Sequence, residues 1–250
     1  ERTPPRPQRS VAAPVAVNPV SGPISEPLDI DDPNLSEKER VIAALEQTGL
    51  RNQVACVSGI GCSSWIPCYL DMDVLHGLHG RALAFAQGLQ LARPDKKFLV
   101  FTGDGDCLAI GGNHLIHSAA RNIDLTVVMV NNRIYGMTGG QKSPASIQGM
   151  KTKTSPGGSL DEPIDGCKLA EAMGATYVAR WTAAHPIQLE KAIIEGMTHH
   201  GFAFIEVLSQ CPVQGSAGFG GQNAAGMLKY MKENTWMKKD GETPPPDKTV

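Results

Sequence analysis

Two aspartates, Asp104 and Asp106, alternate with glycines in the stretch GDGD, directly after the apolar run KKFLVF. An apolar run of this length is typical of a buried strand, and the change to glycine and charge marks its end. A carboxylate in such a loop can bind a metal ion, because carboxylate oxygens are ligands that Mg²⁺ prefers. The loop is therefore a candidate site, although glycine and charge also occur together in ordinary surface loops.

A second polar loop follows the next apolar run along the chain. Asn131 and Asn132 come directly after LTVVMV, one predicted helix and one predicted strand beyond Asp104. In a parallel sheet this interval places the two loops side by side, so that their oxygens can converge on one Mg²⁺. The segment GDGDCLAIGGN also supplies small residues and backbone N–H groups before a helix, which suits a phosphate. The residues thus predict a site for Mg²⁺ and a diphosphate.

Strands and helices alternate along the part of the chain that must position these loops. The predicted strands are QVACVSG, KKFLVF, LTVVMV, TYVAR and FAFIEVL, and the predicted helices are HGRALAFAQGLQLARP, NHLIHSAARN, CKLAEAMG and PIQLEKAIIEGMTHH. Such alternation, with several strands apolar throughout, predicts an α/β fold with a parallel sheet covered by helices on both faces. Ligands of these folds bind at the carboxyl ends of the strands.

The chain of 250 residues divides into three parts. Residues 1–35 are rich in proline and poor in large apolar side chains, so we expect an arm that does not fold alone. A capping box that starts at Ser36 predicts a helix to about residue 48, and residues 36–214 form the binding domain. Residues 215–250 are rich in glycine and then in lysine, and we expect them to lie on the surface or on a partner.

The composition excludes several classes of function. The net charge is −2 and charges of both signs are mixed along the chain, which argues against a nucleic-acid-binding stripe or an anionic-membrane anchor. Apolar runs fall far short of the roughly 20 residues that a membrane-spanning helix needs. The segment ERTPPRPQRS lacks the apolar region of a secretory signal, so we expect a cytoplasmic protein. The six cysteines form no C-x-x-C pair, and most are expected to be free buried thiols.

Together these motifs resemble a known family. Asp104 and Asn132 are similar to the thiamine-diphosphate motif, in which the aspartate, the asparagine and a backbone carbonyl, here that of Ile134, bind the metal. The stretches VSGIGCSSWIPCYL, LHGRALAFAQGL, TGDGDCLAIGGNHLIHSAARNIDL, NNRIYGMTGGQKSP and VLSQCPV resemble the beta subunit of 2-oxoacid:ferredoxin oxidoreductases of the 2-oxoglutarate type. The resemblance covers roughly residues 40–235.

The resemblance implies a set of residues around thiamine diphosphate and Mg²⁺. They are Gly61, Cys62, Ser63, His79, Gly80, Gly103, Asp104, Gly105, Asp106, Asn132, Ile134 and Thr138. Residues 61–63 would lie near the thiazolium ring, and His79 with Gly80 near the diphosphate. The alternative for His79 is a role in capping the adjacent helix. His114 and His117, spaced i, i+3, are expected to be ordinary helix residues rather than a metal pair.

The resemblance also implies a reaction and its partners. A 2-oxo acid is oxidatively decarboxylated with coenzyme A to acyl-CoA and CO₂, and ferredoxin is reduced. The substrate favoured is 2-oxoglutarate, with pyruvate or branched-chain 2-oxo acids as alternatives. The carboxylate that activates the aminopyrimidine ring has no candidate in this chain, so we expect a heterodimer with an alpha subunit whose pyrimidine-binding domain supplies it.

A [4Fe-4S] cluster is a further implication, with Cys62 and Cys211 at family positions. The family's N-terminal C-x-x-C-G is absent, because no cysteine precedes Cys56, so either other groups complete the cluster or the cluster is lost. Candidates are Cys56 and Cys68, a carboxylate from the Asp-rich segment, or a partner's cysteine. Two other functions are open: a thiamine-dependent decarboxylase subunit without a redox step, and a non-catalytic relative with structural zinc at Cys56, Cys62 and Cys68.

Overall fold

The computed structural model describes residue 46 and residues 49–50, 52–70, 72–221 and 223–236. The arm predicted at residues 1–35 lies outside the described residues. So does the helix predicted over residues 36–48, except for Glu46, which is helical. Within the described ranges, no helix is both long and apolar enough to cross a membrane.

A six-stranded parallel sheet forms the centre of the fold. Its strands in chain order are β1 (Val54–Ser58), β2 (Val74–His76), β3 (Lys97–Gly103), β4 (Thr126–Asn131), β7 (Tyr177–Thr182) and β8 (Ala203–Leu208). In space they run β2-β1-β3-β4-β8-β7, and every neighbouring pair is parallel. The predicted α/β class and all five predicted strands are confirmed.

Helices cover both faces of the sheet, as predicted. The helices are α1 (Ala82–Ala92), α2 (Gly112–Ala120), α3 (Gly166–Ala172), α4 (Pro186–Thr198) and α5 (Ala224–Asn234). Along β3, Phe98 and Val100 belong to one buried cluster, whereas Leu99 and Phe101 belong to the other. Successive side chains of a strand point to opposite faces, so a run that is apolar throughout requires cover on both sides.

Several short elements were not predicted from the sequence. Edge strand β2 is one, and the antiparallel pair of β5 (Ile134–Tyr135) with β6 (Gln141–Lys142) is another. A 3₁₀ helix spans Cys62–Tyr69, and a π-helical segment spans Gly105–Ile110, immediately after the aspartate loop. The two helical segments occupy the places where the candidate site loops leave β1 and β3.

The segment after residue 215, which the sequence analysis placed on the surface or on a partner, contains an ordered helix. A 3₁₀ turn at Ser216–Phe219 leads into α5. Phe219, Met227 and Met231 are buried together and form a cluster of their own. This part of the chain therefore packs onto the parallel-sheet domain with an apolar face.

The order of the strands determines where a ligand can bind. From β1 the chain moves outward to β2 and then returns to the other side of β1 to form β3. Such a change of direction opens a crevice at the carboxyl ends of the two strands that flank it. The loops after β1 and β3 border this crevice, and the loop after β4 is next to it because Gly103 pairs with Val130.

Candidate functional site

A cleft lies at the carboxyl ends of β1, β3 and β4. It is lined by Ile60, Gly61, Cys62, Ser63, His79, Gly103, Asp104, Gly105, Asp106, Val130, Asn132, Ile134, Tyr135, Gly136, Met137 and Thr138. All the residues predicted to surround the cofactor are in this lining, with the exception of Gly80. The structure thus brings together residues that are up to 78 positions apart in the sequence, from Ile60 to Thr138 (138 − 60).

Asp104 is almost fully buried at the end of β3 and faces the cleft. Ser143 Oγ donates to its Oδ2 at 2.5 Å, and backbone N–H groups of Gly105 and Asn132 also hydrogen-bond its carboxylate. Burial outweighs these hydrogen bonds and raises the pKa of Asp104 to about 6. A cation in the cleft would offset the cost of burying this charge, as expected of a metal ligand.

Asp106, two residues later, has a different environment. Its carboxylate accepts from Gly80 N at 2.6 Å, Thr102 Oγ1 at 2.6 Å and Ile60 N at 3.3 Å, and His79 Nδ1 lies 2.9 Å from Oδ1. These groups come from β3 and from the loops that follow β1 and β2. Asp106 therefore connects three segments that border the cleft. Its place in the lining of the cleft follows from this structural role.

Gly80 lies behind the cleft wall rather than in it. Its φ of +70° is in the left-handed region, and a Cβ there would overlap the side chain of Ile110. Because the backbone at Gly80 lies so close to the segment that contains Ile110, the N–H of Gly80 can donate to Asp106. His79 Nδ1 also lies 3.0 Å from the carbonyl of Ile60, so its contacts join the loops and do not cap α1.

Asn132 and Ile134 present the second group of oxygens. Asn132 Oδ1 accepts from Ile134 N at 3.2 Å, which closes a tight turn between β4 and β5. Arg133, in the middle of this turn, has a φ of +64°, which costs a non-glycine residue about 1–2 kcal/mol. The Arg133 guanidinium donates to Gly218 O at 2.7 Å and lies 4.8 Å from the centre of the Phe219 ring. These contacts stabilise the turn against its strained backbone.

Cys62 and Cys211 meet beside the cleft although they are far apart in the sequence. A Cβ built on Gly136 would lie 3.1 Å from Cys211 Sγ and 3.6 Å from Cys62 Sγ, so both sulfurs face the same glycine. Burial and the neighbouring Cys211 raise the pKa of the Cys62 thiol. Two sulfurs on one side of a cofactor cleft can act as a pair of metal ligands.

The other cysteines do not join this pair. Cys56 is fully buried in β1, and its thiol donates to the sulfur of Met72. Cys68 is exposed on the 3₁₀ helix that starts at Cys62. The structure does not bring Cys56, Cys62 and Cys68 together, so it gives no support to the alternative of a zinc site.

The two histidines predicted on a helix, His114 and His117, both lie in α2. His114 Nε2 lies 3.3 Å from the guanidinium of Arg81, and partial burial together with that cation lowers the pKa of His114. His117 is not part of any group of metal-capable side chains within the described ranges.

Sequence reasoning missed several residues that support the site. Ser143 binds Asp104, Tyr135 Oη donates to Gly105 O at 3.2 Å, and Ser146 Oγ donates to Arg133 O at 2.5 Å. Gly105 is required here because a Cβ would overlap the Tyr135 ring. Tyr135 lies in the two-residue strand β5, and Ser143 and Ser146 lie in the loop after β6, so none of them belongs to a segment with a periodic pattern. The stretch NNRIYGMTGGQKSP was the only available signal for Tyr135 and Ser143.

Comparisons with known proteins identify what this arrangement resembles. Residues 59–207 match the family model for the C-terminal TPP binding domain of thiamine pyrophosphate enzymes. The chain is 55% identical over 195 residues to the 2-oxoglutarate synthase subunit KorB of Methanocaldococcus jannaschii, covering 78% of this chain and 72% of the relative. It is 47% identical over 176 residues to the 2-oxoglutarate oxidoreductase subunit KorB of Mycobacterium tuberculosis, covering 70% of this chain and 47% of the relative.

A solved structure has the same fold. The 2-oxoglutarate:ferredoxin oxidoreductase from Magnetococcus marinus, with 2-oxoglutarate, coenzyme A and succinyl-CoA bound, superposes with a TM-score of 0.73 and 36% identity. The match covers 82% of this chain and 69% of that chain. The donor set in the cleft also fits Mg²⁺ and a diphosphate, because a buried carboxylate, an amide and a strand-end turn meet there.

Replacing Arg133 tests whether its side chain stabilises a strained turn. Arg133→Ala and Arg133→Gly both remove the guanidinium contacts with Gly218 and Phe219, but only alanine keeps the strain of a positive φ. We expect Arg133→Ala to be less stable than Arg133→Gly by about 1 kcal/mol, measured by urea unfolding. An alanine variant as stable as the glycine variant would show that Arg133 is not strained in the folded protein.

Proposed function

The chain belongs to the thiamine pyrophosphate enzyme family and, within it, to the KorB subunits of 2-oxoglutarate synthases and oxidoreductases, and from this we propose its function in detail. It acts as the beta subunit of a 2-oxoglutarate:ferredoxin oxidoreductase, which converts 2-oxoglutarate and coenzyme A to succinyl-CoA and CO₂ and reduces ferredoxin. The observation that carries the proposal is the convergence of Asp104, Asn132 and Ile134 from two adjacent strand ends on one cleft.

Asp104, Asn132 and the carbonyl of Ile134 hold Mg²⁺ in this proposal. A carboxylate and two neutral oxygens leave positions of the octahedron for water and for diphosphate oxygens. His79 and the loop at residues 61–63 border the part of the cleft where the remainder of the cofactor lies. When bound, thiamine diphosphate supplies the electron sink for decarboxylation of a 2-oxo acid, and the protein supplies binding and orientation.

The activating carboxylate for the aminopyrimidine ring comes from a partner subunit in this proposal. The two buried carboxylates of the cleft are both committed, because Asp104 faces the metal position and Asp106 is saturated by donors from the surrounding loops. The partner is an alpha subunit with a pyrimidine-binding domain, and the heterodimer is the catalytic unit. The solved relative is itself an oxidoreductase with 2-oxoglutarate and coenzyme A bound, which supports the choice of substrate.

The redox step distinguishes this function from that of a thiamine-dependent decarboxylase subunit. Cys62 and Cys211 face the same glycine beside the cleft, an arrangement that a non-redox decarboxylase does not need. We assign them as two ligands of a [4Fe-4S] cluster that accepts electrons next to the cofactor. The remaining ligands in this proposal come from groups other than Cys56, whose thiol is buried in β1 on Met72, and other than Cys68, which lies further along the 3₁₀ helix and does not join the pair.

Asp104→Ala is expected to abolish binding of thiamine diphosphate in the presence of Mg²⁺, because it removes the anionic ligand. Binding is measured by calorimetry on the purified protein. The matched control is Asp95→Ala, which removes an exposed aspartate before the opposite end of β3 and should leave the affinity unchanged. Normal cofactor stoichiometry in Asp104→Ala, with an unchanged melting temperature, would refute the assignment.

Turnover is expected to require the partner subunit. The chain expressed alone should bind thiamine diphosphate and Mg²⁺ but should not release CO₂ from 2-oxoglutarate, since the proposal assigns the activating carboxylate to the partner. Co-expression with the alpha subunit should restore CoA-dependent ferredoxin reduction. Decarboxylation by the isolated chain at the rate of the complex would contradict a divided active site. Decarboxylation by the complex without ferredoxin reduction would favour the non-redox alternative.

Cys62→Ser and Cys211→Ser are each expected to lower the iron and sulfide content of the complex and to slow electron transfer to ferredoxin. Cys68→Ser is the control, because this exposed cysteine lies on the same 3₁₀ helix as Cys62. Iron carried by other subunits is measured separately and subtracted. If both variants keep full iron content and normal ferredoxin reduction, neither cysteine is a ligand.

A further inference from the structure

Glu206 is a buried carboxylate that the proposed function does not use. It lies in the centre of β8, is only 2% exposed, and is not part of the cleft lining. Removing a carboxylate from water costs several kcal/mol unless it is paired and hydrogen-bonded. Arg180 on β7 provides that pairing, with its Nε 2.8 Å and its Nη2 2.7 Å from Glu206 Oε2.

The surroundings of Glu206 show that this group is not a metal site. Asp165, Cys167 and Glu206 are close enough together for a metal ion, but Arg180 binds both carboxylates. The positively charged guanidinium of Arg180 therefore occupies the position that a metal cation would take. Cys167 Sγ also donates to Oε2, at 3.3 Å. Arg180 and Cys167 thus bind the same carboxylate oxygen, Oε2, which leaves the other oxygen, Oε1, for a different partner.

That other oxygen, Oε1, accepts a hydrogen bond from Asn131 Nδ2 at 2.6 Å. Asn131 is the last residue of β4 and directly precedes the proposed Mg²⁺ ligand Asn132. An ionised carboxylate can only accept hydrogen bonds, so it holds the amide of Asn131 with its nitrogen toward Glu206. The amide oxygen of Asn131 then points away from Glu206 and along the chain.

The amide oxygen of Asn131 accepts the backbone N–H of Arg133 at 3.0 Å. This hydrogen bond stabilises the residue whose positive φ gives the turn its shape. The same turn directs Asn132 and Ile134 into the cleft. A continuous chain of hydrogen bonds therefore runs from the Glu206 carboxylate through Asn131 to the backbone that presents the proposed metal ligands.

We propose that Glu206 is a positioning residue for the cofactor site, and that it acts by orienting Asn131 and so fixing the turn that presents Asn132 and Ile134. The inference rests on the proposed Mg²⁺ and diphosphate site. Ionised glutamate is required because it is an acceptor only. A glutamine in its place can donate to the oxygen of Asn131, which lets the asparagine amide turn over and leaves the N–H of Arg133 without its acceptor.

The test measures the affinity for thiamine diphosphate, with saturating Mg²⁺, in a double-mutant cycle of Glu206→Gln and Asn131→Ala. Groups that orient the ligands of a metal change affinity by roughly 10–100-fold when they are replaced. We expect each single variant to weaken binding of thiamine diphosphate by at least about 10-fold. Glu206→Gln should have no further effect in the Asn131→Ala background, because the two residues act in series.

Ile205→Val is the control for a purely structural effect. Ile205 is fully buried, neighbours Glu206 on β8 and belongs to the apolar cluster that contains Leu99. The loss of one methyl group should lower the melting temperature without a change in the affinity for thiamine diphosphate. Melting temperatures of all variants without cofactor are measured alongside, and affinities are determined well below them.

The possible outcomes separate this inference from the proposed function. If the wild-type protein does not bind thiamine diphosphate with Mg²⁺, the proposed site is wrong. If the wild type binds and Glu206→Gln binds equally well, Glu206 has no positioning role. Fully additive losses in the double variant would also overturn the inference, because they would show that Glu206 does not act through Asn131. If Glu206→Gln fails to fold, Asn131→Ala alone decides: unchanged affinity in that variant refutes the proposed chain of contacts.

Discussion

The hydrogen bonds to the carboxylate of Asp106 hold the candidate site together. They join the N–H groups of Ile60 and Gly80 and the hydroxyl of Thr102, which belong to three different segments at the carboxyl edge of the sheet. A buried carboxylate must be satisfied by several donors. The requirement to satisfy one charge thereby fixes the positions of three loops around the cleft.

Two carboxylates in one short loop can therefore have different roles. Asp106 accepts from donors on all sides and is a structural residue, whereas Asp104 keeps part of its carboxylate toward the cleft. Burial raises the pKa of Asp104 to about 6, so the folded protein favours either a proton or a cation at this position. The hydrogen bonds to Asp104 do not fully offset the cost of burying its carboxylate, and a divalent metal ion at this position would offset the remainder.

Residues that are distant from the cleft in the sequence also stabilise the candidate site. The turn at Arg133 is held by Asn131 on one side and by Gly218 and Phe219 on the other. The second set of contacts belongs to the segment after residue 215, whose apolar face packs through Met227 and Met231. The turn that presents Asn132 thus depends on packing between the parallel sheet and the C-terminal helix α5.

The parallel sheet and the convergence of Asp104 with Asn132 could be predicted from the sequence. Apolar runs bounded by glycine locate the strands, and the strand–helix–strand spacing places consecutive loops side by side. Strand β2 could not be predicted, because three residues carry no periodic signal. In α5, Met227 and Met231 have helical spacing, but the glycine-rich context obscured this signal.

Residues that act through long-range contacts could not be predicted either. Glu206 sits in an apolar strand with nothing in its neighbourhood to indicate Asn131, which is 75 positions away. Ser143 reaches Asp104 from 39 positions away through an irregular loop. The positive φ of Arg133 contradicts the ordinary preference of arginine, because contacts with Gly218 and Phe219 outweigh the local backbone energy. Such features depend on tertiary packing, and no local sequence pattern indicates them.

Anomalous diffraction from crystals grown with thiamine diphosphate and Mn²⁺ in place of Mg²⁺ tests the site most directly. The geometry predicts one strong anomalous peak in the cleft, within about 2.5 Å of oxygens from Asp104, Asn132 and Ile134 and next to the diphosphate. A peak that contacts none of these three residues, or diphosphate density that lies away from the end of β3, would contradict the site assigned to these strand ends.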